Sequence, residues 1–313
     1  MTQLKLHPTT GFDNNARSYK HITALPIAAA MGAEIRGLQV GQLTDVQFAE
    51  IEDALYRHKM IFFRDQDMSH ADQENFTLRF GDFGVDAYTT GVEGHPNVQP
   101  VIKEAETRIK MIFGSGWHTD SPFLETPPAI SMLFGADIPP YGGDTIWCNT
   151  VLAYNCLSDT MKQVLAPLKV HMTAVDVIAN LQEENRAKQS GETGDGKTRA
   201  GFGTMKLSVD NQKMVTGWYH PIVRTHPVTG EKALYVDQTY ARGIQGMTDA
   251  EARPLLEFLR EHVSQPAFSC RLRWEPKTFA VWDNRICVHQ AFNDYDGFRR
   301  EMYRTTVRGE VPQ

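Results

Sequence analysis

The sequence lacks the features that would mark it as exported, membrane-spanning or nucleic-acid-binding. No apolar run approaches the roughly 20 residues needed to cross a bilayer. The longest early run, Ala24 to Met31, is short and contains Pro26. The N-terminus shows no basic stretch followed by an apolar one, so no signal peptide is expected. Lys and Arg, 32 in all, never gather in a block of five or six, and Asp plus Glu number 38, for a formal charge of −6. A sequence-independent nucleic-acid binder needs a basic surface, so that class is set aside. Cysteine is scarce. Cys148, Cys156, Cys270 and Cys287 are never spaced C-x-x-C, which argues against a thioredoxin-like motif or a paired-cysteine zinc site. Scattered thiols without an export signal read as reduced, and the protein as cytoplasmic. There is no H-E-x-x-H and no internal repeat.

What is present is an ordinary globular composition, 41% hydrophobic and 22% charged over 313 residues. Length alone gives a prior of about two domains, though one barrel can reach roughly 250 residues. Residues 1–20 are polar and read as a loose arm. Residues 32–41 read as a short strand between glycines. Thr44 to Gln47 fits a capping box, with Phe48, Ile51 and Leu55 behind it on one face of a helix ending near His58. Lys59 to Phe63 suits a buried strand, and Ser69 caps a second helix through Phe80. Residues 84–116 form a long, glycine-punctuated connection, and 182–203 are polar and glycine-rich; both read as lids. Strand signals dominate from His220 onward, including a hairpin around Pro227-Val-Thr-Gly230 and a last strand, Arg300 to Val307. Short strands separated by turns, with a few helices, predict a mainly β fold with helical decoration, a barrel or jelly roll.

Three clusters offer chemistry. His118 and Asp120 stand at i and i+2, which on a strand share one face and can meet one metal ion. His289 ends a later strand; two His and one carboxylate would leave open positions on Fe(II), as O2 chemistry requires. Arg300 and Arg304 share a face of the last strand, about 13 Å apart, which calls for two anionic groups if that face points inward. Taken alone, each has a blander explanation: a surface His beside an acid, a core His, a solvated basic face.

Together, Trp117-His-Thr-Asp120, Gly142-Gly-Asp-Thr-Ile-Trp147, Trp282-Asp-Asn284, His289 and Arg300 with Arg304 resemble the Fe(II)/2-oxoglutarate-dependent dioxygenases of the taurine dioxygenase and 2,4-D dioxygenase (TauD/TfdA) group. The likeness is greatest to its aryloxyalkanoate branch. It extends over about residues 25–310 and takes in Arg79-Phe-Gly81, Phe123-Leu-Glu-Thr-Pro-Pro128, His226-Pro-Val-Thr-Gly230 and Met247-Thr-Asp-Ala-Glu251. It implies a double-stranded β-helix, the cupin-like jelly roll, as one catalytic domain over 1–313 with lid insertions. It implies Fe(II) on His118, Asp120 and His289, and 2-oxoglutarate held at its distal carboxylate by Arg300 and Thr145. Arg304 would face the substrate's anionic group. O2 would serve as second co-substrate, with 2-oxoglutarate leaving as succinate and CO2 while a substrate C–H is hydroxylated. Asp120 favours hydroxylation, since related halogenases lack that carboxylate.

In the first lid, Asp86 falls where taurine-specific members carry a His. Its charge would repel a sulfonate, and it either meets a polar or cationic substrate group or points to solvent. Tyr88 is available there as a donor, and Gly114 removes bulk. The expected partner is a small organic anion, a carboxylate of aryloxyalkanoate type ahead of an alkylsulfonate or alkyl sulfate. Ether or C–S cleavage would follow where the hydroxylated carbon bears oxygen or sulfonate. A homo-oligomer is expected. The competing classes are a silent jelly roll that only binds an organic acid, and a zinc hydrolase using the same ligands.

Overall fold

The computed structural model describes residues 12–15, 17–107, 114–190 and 209–313. Its strands are β1 (Thr23–Pro26), β2 (Ala33–Arg36), β3 (Met60–Phe63), β4 (Gln99–Lys103), β5 (Ile130–Asp137), β6 (Thr145–Asn149), β7 (Lys169–Met172), β8 (Trp218–Pro221), β9 (Val223–Thr225), β10 (Lys232–Leu234), β11 (Ala241–Ile244), β12 (Ser269–Leu272), β13 (Thr278–Asp283), β14 (Cys287–Ala291) and β15 (Arg300–Val307). Helices are α1 (Asp45–His58), α2 (His70–Leu78), α3 (Thr150–Asn155), α4 (Asp159–Leu165), α5 (Val175–Ser190), α6 (Asn211–Thr216) and α7 (Asp249–Val263). Among the described residues, one sheet runs β1-β2-β3-β13-β5-β15-β4 and a smaller one runs β12-β6-β14. All pairs are antiparallel except β2 with β3.

The layering follows from side-chain alternation along β3. Met60 and Phe62 join Trp282 of β13, Trp147 of β6, Leu272 of β12 and Cys287 of β14 in one apolar cluster, the space between the two sheets. Ile61 and Phe63 point the other way, onto Phe48, Ile51 and Leu55 of α1 and Phe76 of α2. A strand buried on both faces has to be apolar throughout, which is why Met-Ile-Phe-Phe reads as an unbroken run. The small sheet is covered outside in the same manner: Cys148 and Val288 pack with Leu152 of α3 and Leu256 and Leu259 of α7. Two facing sheets with helices on both outer surfaces make the jelly roll. The capping boxes at Thr44, Ser69 and Thr248 start α1, α2 and α7.

Three expectations need correction. The arm is anchored from Phe12 onward: the Asn14 side-chain amide donates to the Ala28 carbonyl at 2.6 Å, its Oδ1 lies 2.7 Å from His58 Nδ1, and Arg17 pairs with Asp53. Residues 1–11 and 16 lie outside the described residues. The 84–116 connection contains β4, which pairs with β15; 108–113 lie outside the described residues. Pro100 masked this strand, but β4 is an edge strand, where a missing N–H is tolerated. The 182–203 lid begins as the end of α5, because Gln, Glu, Arg, Ala and Lys are good helix formers despite their polarity; from 191 to 203 it lies outside the described residues. Residues 191–198, GETGDGKT, fit the bare P-loop spacing. A phosphate loop follows a strand, however, and here the preceding element is α5.

Candidate active site

His289 sits on β14, an edge strand of the small sheet, opposite Trp147 of β6. His118 and Asp120 do not lie on a regular strand, as the i, i+2 argument assumed. His118 instead makes an isolated bridge to His289: each backbone N–H donates to the other's carbonyl, at 2.9 and 2.7 Å. Ser121, in the left-handed region at φ 45°, then bends the chain beside Asp120. All three side chains are buried, and one ligand atom from each lies within 4.8 Å of the others. His118 Nε2 and His289 Nε2 are each 3.8 Å from Asp120 Oδ1. Metal–ligand bonds of about 2.0–2.2 Å put neighbouring ligand atoms roughly 3–4 Å apart, so the residues fit a small divalent ion.

Local bonding prepares the donors. His118 Nδ1 donates to the Gly116 carbonyl at 2.7 Å, which leaves Nε2 with its lone pair toward the ion. Burial, then His118 beside it, pushes His289 down to about 3, so its ring stays neutral. Burial works to raise Asp120, but the Arg304 guanidinium and the hydrogen bond from Ser131 act against it, and the carboxyl is held below its usual range.

Asp120 is also held from behind. Trp282 Nε1 donates to Asn284 Oδ1 at 2.9 Å, and Asn284 Nδ2 donates to Ser131 Oγ at 2.7 Å. Ser131 in turn donates to Asp120 Oδ2 at 2.5 Å. An indole N–H can only donate, so every orientation in this relay is fixed. Asp120 presents Oδ1 to the histidines because Oδ2 is taken. Sequence reasoning caught Trp282 and Asn284 as motif residues but missed Ser131, a common residue with no motif of its own.

His118 and His289 open into a narrow pocket of about 50 Å³ that is also lined by Arg300, Arg304, Thr145, Gly114 and Trp147. On β15 the even residues face inward, since Met302 joins the inter-sheet core, while Thr305 bonds to Thr77 of α2 on the other side. Arg300 is buried; its Nη2 donates to the Gly143 carbonyl at 3.1 Å, and its guanidinium lies within 6 Å of the Trp274 and Tyr295 rings. Its Nε has no partner among the described residues. Thr145 accepts from Trp274 Nε1 at 2.9 Å, which leaves its hydroxyl proton to donate. A buried cation beside an available donor is suited to a carboxylate.

The lid residues differ from expectation. Asp86 does not point to solvent. It is buried, accepts from the Tyr88 and Thr89 backbone N–H groups at 2.9 and 3.0 Å, and pairs with Arg304 Nη2. Tyr88 is buried, and its hydroxyl lies 2.9 Å from that of Tyr240, a residue the sequence did not flag. Gly114 sits at φ +82°, and a Cβ there would stand 3.2 Å from His118 Cε1. Glycine is therefore needed for the ligand ring as well as for pocket space.

The family described as "Taurine catabolism dioxygenase TauD, TfdA family" matches residues 21–306. The chain belongs to the TauD/TfdA family. It is a 2-oxoglutarate-dependent non-haem iron dioxygenase, and its cofactor and co-substrates are Fe(II), 2-oxoglutarate and O2. An alpha-ketoglutarate-dependent sulfate ester dioxygenase of Pseudomonas putida is 33% identical over 92% of this chain and 89% of its own length. A taurine dioxygenase from Burkholderia xenovorans, known by crystal structure, superposes with a TM-score of 0.75 at 33% identity, covering 94% and 93% of the two chains. The aryloxyalkanoate branch is represented at lower identity: a 2,4-dichlorophenoxyacetate dioxygenase of a Burkholderia species is 27% identical over 86% of this chain and 88% of its own. No helix among the described residues is long and apolar enough to cross a membrane.

Proposed function

We propose that this TauD/TfdA dioxygenase hydroxylates a C–H bond of a small organic anion at a carbon bonded to oxygen. His118, Asp120 and His289 hold the iron; Arg300 and Thr145 take the distal carboxylate of 2-oxoglutarate; Arg304 faces the substrate's anionic group. The observation that carries this reading is the pair of buried, inward guanidiniums on β15, lining one pocket with His118 and His289. A buried cation is costly without an anion, and among the described residues no carboxylate pairs with Arg300, which calls for an anionic ligand; Arg304 already meets Asp86 and so marks the substrate end of the pocket by position. When bound, the iron and its co-substrates supply oxidative decarboxylation coupled to C–H hydroxylation; the chain supplies position, charge and exclusion of water. The segment around 84–90, seated against Arg304, acts as a lid.

The similarity to a sulfate ester dioxygenase favours an alkyl sulfate; the 2,4-dichlorophenoxyacetate relative favours an aryloxyalkanoate. The two share one chemistry. A hydroxyl placed on a carbon bearing an ester or ether oxygen makes the C–O bond collapse to a carbonyl and a leaving oxyanion. The test is O2 uptake and succinate release with Fe(II) and 2-oxoglutarate, over hexyl sulfate, phenoxyacetate and taurine. Stimulation by the first or second is expected. Failure of all three, or full substrate-coupled turnover by His118→Ala, overturns the reading.

A further inference from the structure

Arg300 and Arg304 occupy the same face of β15 in opposite states. Arg300 meets a backbone carbonyl and two aromatic rings, and among the described residues no carboxylate pairs with it. Arg304 already holds one: Asp86 pairs with its Nη2, and Asp120 Oδ1 lies 3.7 Å from its Nη1. Both members of the Asp86–Arg304 pair are buried, Asp86 at 8% exposure and Arg304 at 7%. Asp86 is not a side chain that has swung in by chance. Its Oδ1 accepts two successive backbone N–H groups, from Tyr88 and Thr89, so the turn of the lid fixes the carboxylate and aims Oδ2 at the guanidinium.

We propose that Asp86 is a specificity-determining residue, a carboxylate built into the lid that competes with the substrate's anionic group for Arg304. The inference rests on Arg304 being the substrate's anion contact. An anion entering beside Arg304 meets a fixed like charge in a low-dielectric pocket, where such repulsion is strong. The 2-oxoglutarate end of the pocket, at Arg300, is not opposed in this manner. The enzyme thus discounts charge at the substrate end, and selection shifts to the body of the substrate. An uncharged ether of the same shape is penalised far less than in a pocket with an uncompensated arginine.

The test is Asp86→Asn, which keeps an acceptor for both backbone N–H groups and removes the charge. The KM for hexyl sulfate and for phenoxyacetate should fall by about tenfold or more, as expected when a like charge is removed from a buried ion contact. The KM for 2-oxoglutarate and the affinity for 1-methoxyhexane should not change. Asp86→Ser, whose hydroxyl caps the same turn, provides a second route if the first variant folds poorly. Calorimetry with hexyl sulfate on protein loaded with Mn(II) and N-oxalylglycine reads the same comparison without turnover. A folded Asp86 variant with unchanged or weaker anion binding overturns the proposal. Absence of wild-type turnover with every anion would instead overturn the reaction assignment, and the calorimetric comparison would still decide the role of Asp86.

Discussion

Ser131 can be lost without removing a metal ligand, and the metal centre should still register it. Its hydroxyl is the last donor in the relay from Trp282 to Asp120, so Ser131→Ala frees Oδ2 to rotate. Metal affinity should drop about 10- to 100-fold, the usual cost of losing such a supporting bond, measured as the dissociation constant for Mn(II). Arg300→Ala makes a separable prediction: the KM for 2-oxoglutarate rises at least about tenfold, as for loss of a buried charge-assisted contact, while the substrate KM holds. Equal effects on both would sink the division of labour between the two arginines. At this scale the sequence was legible where chemistry and motif coincide, at His118, Asp120 and His289, which the structure brings together. Ser131 and Tyr240 were not, because their roles come from register. Ser131 stands opposite Trp282 only because β5 pairs with β13.

The strand elements bring a second buried charge cluster behind the site. Asp283, at the end of β13, is gripped by Arg285 and by His226 Nε2 at 3.0 Å, while His226 Nδ1 accepts from the Thr229 N–H and closes the β9–β10 turn. Burial would raise Asp283, but the charge and hydrogen bonds of Arg285, with His226 behind them, hold it far below the usual carboxylate range. The stabilisation from a depressed carboxyl is complete above the unfolded value and is lost as pH falls toward the folded one. Asp283→Ala should cost about 3 kcal/mol, since it leaves buried Arg285 with only the more distant Glu310 carboxylate, 3.8 Å from its Nη1; a denaturant titration at pH 7 checks it. The motif His226-Pro-Val-Thr-Gly230 was legible as a hairpin, and the structure adds its tie to β13. Elements with clear periodicity or a capping box were readable. Those with a contrary local signal, β4 with its proline and the polar end of α5, were not, because edge position and helix propensity decided them.

Over the whole molecule, stability should fall in mild acid. His58 and His220 are each pushed from 6.5 to about 4, chiefly by burial. Their neutral forms are matched to the fold, so stability is full above pH 6.5 and declines as pH falls to 4. The loss is on the order of 3 kcal/mol for each group. Tm measured across that window should drop, and His58→Gln should flatten part of the slope; a flat wild-type profile would refute the assignment. The bridge between His118 and His289 has a consequence of another kind, one of timing. The first half of the iron site leaves the ribosome with residue 120, but its other half, with β14, arrives late. β15, which fills the place between β5 and β4, comes later still. At about 5–20 residues per second the interval from His118 to His289 is roughly ten to thirty seconds. A nascent chain therefore lacks the complete set of three ligands for that time.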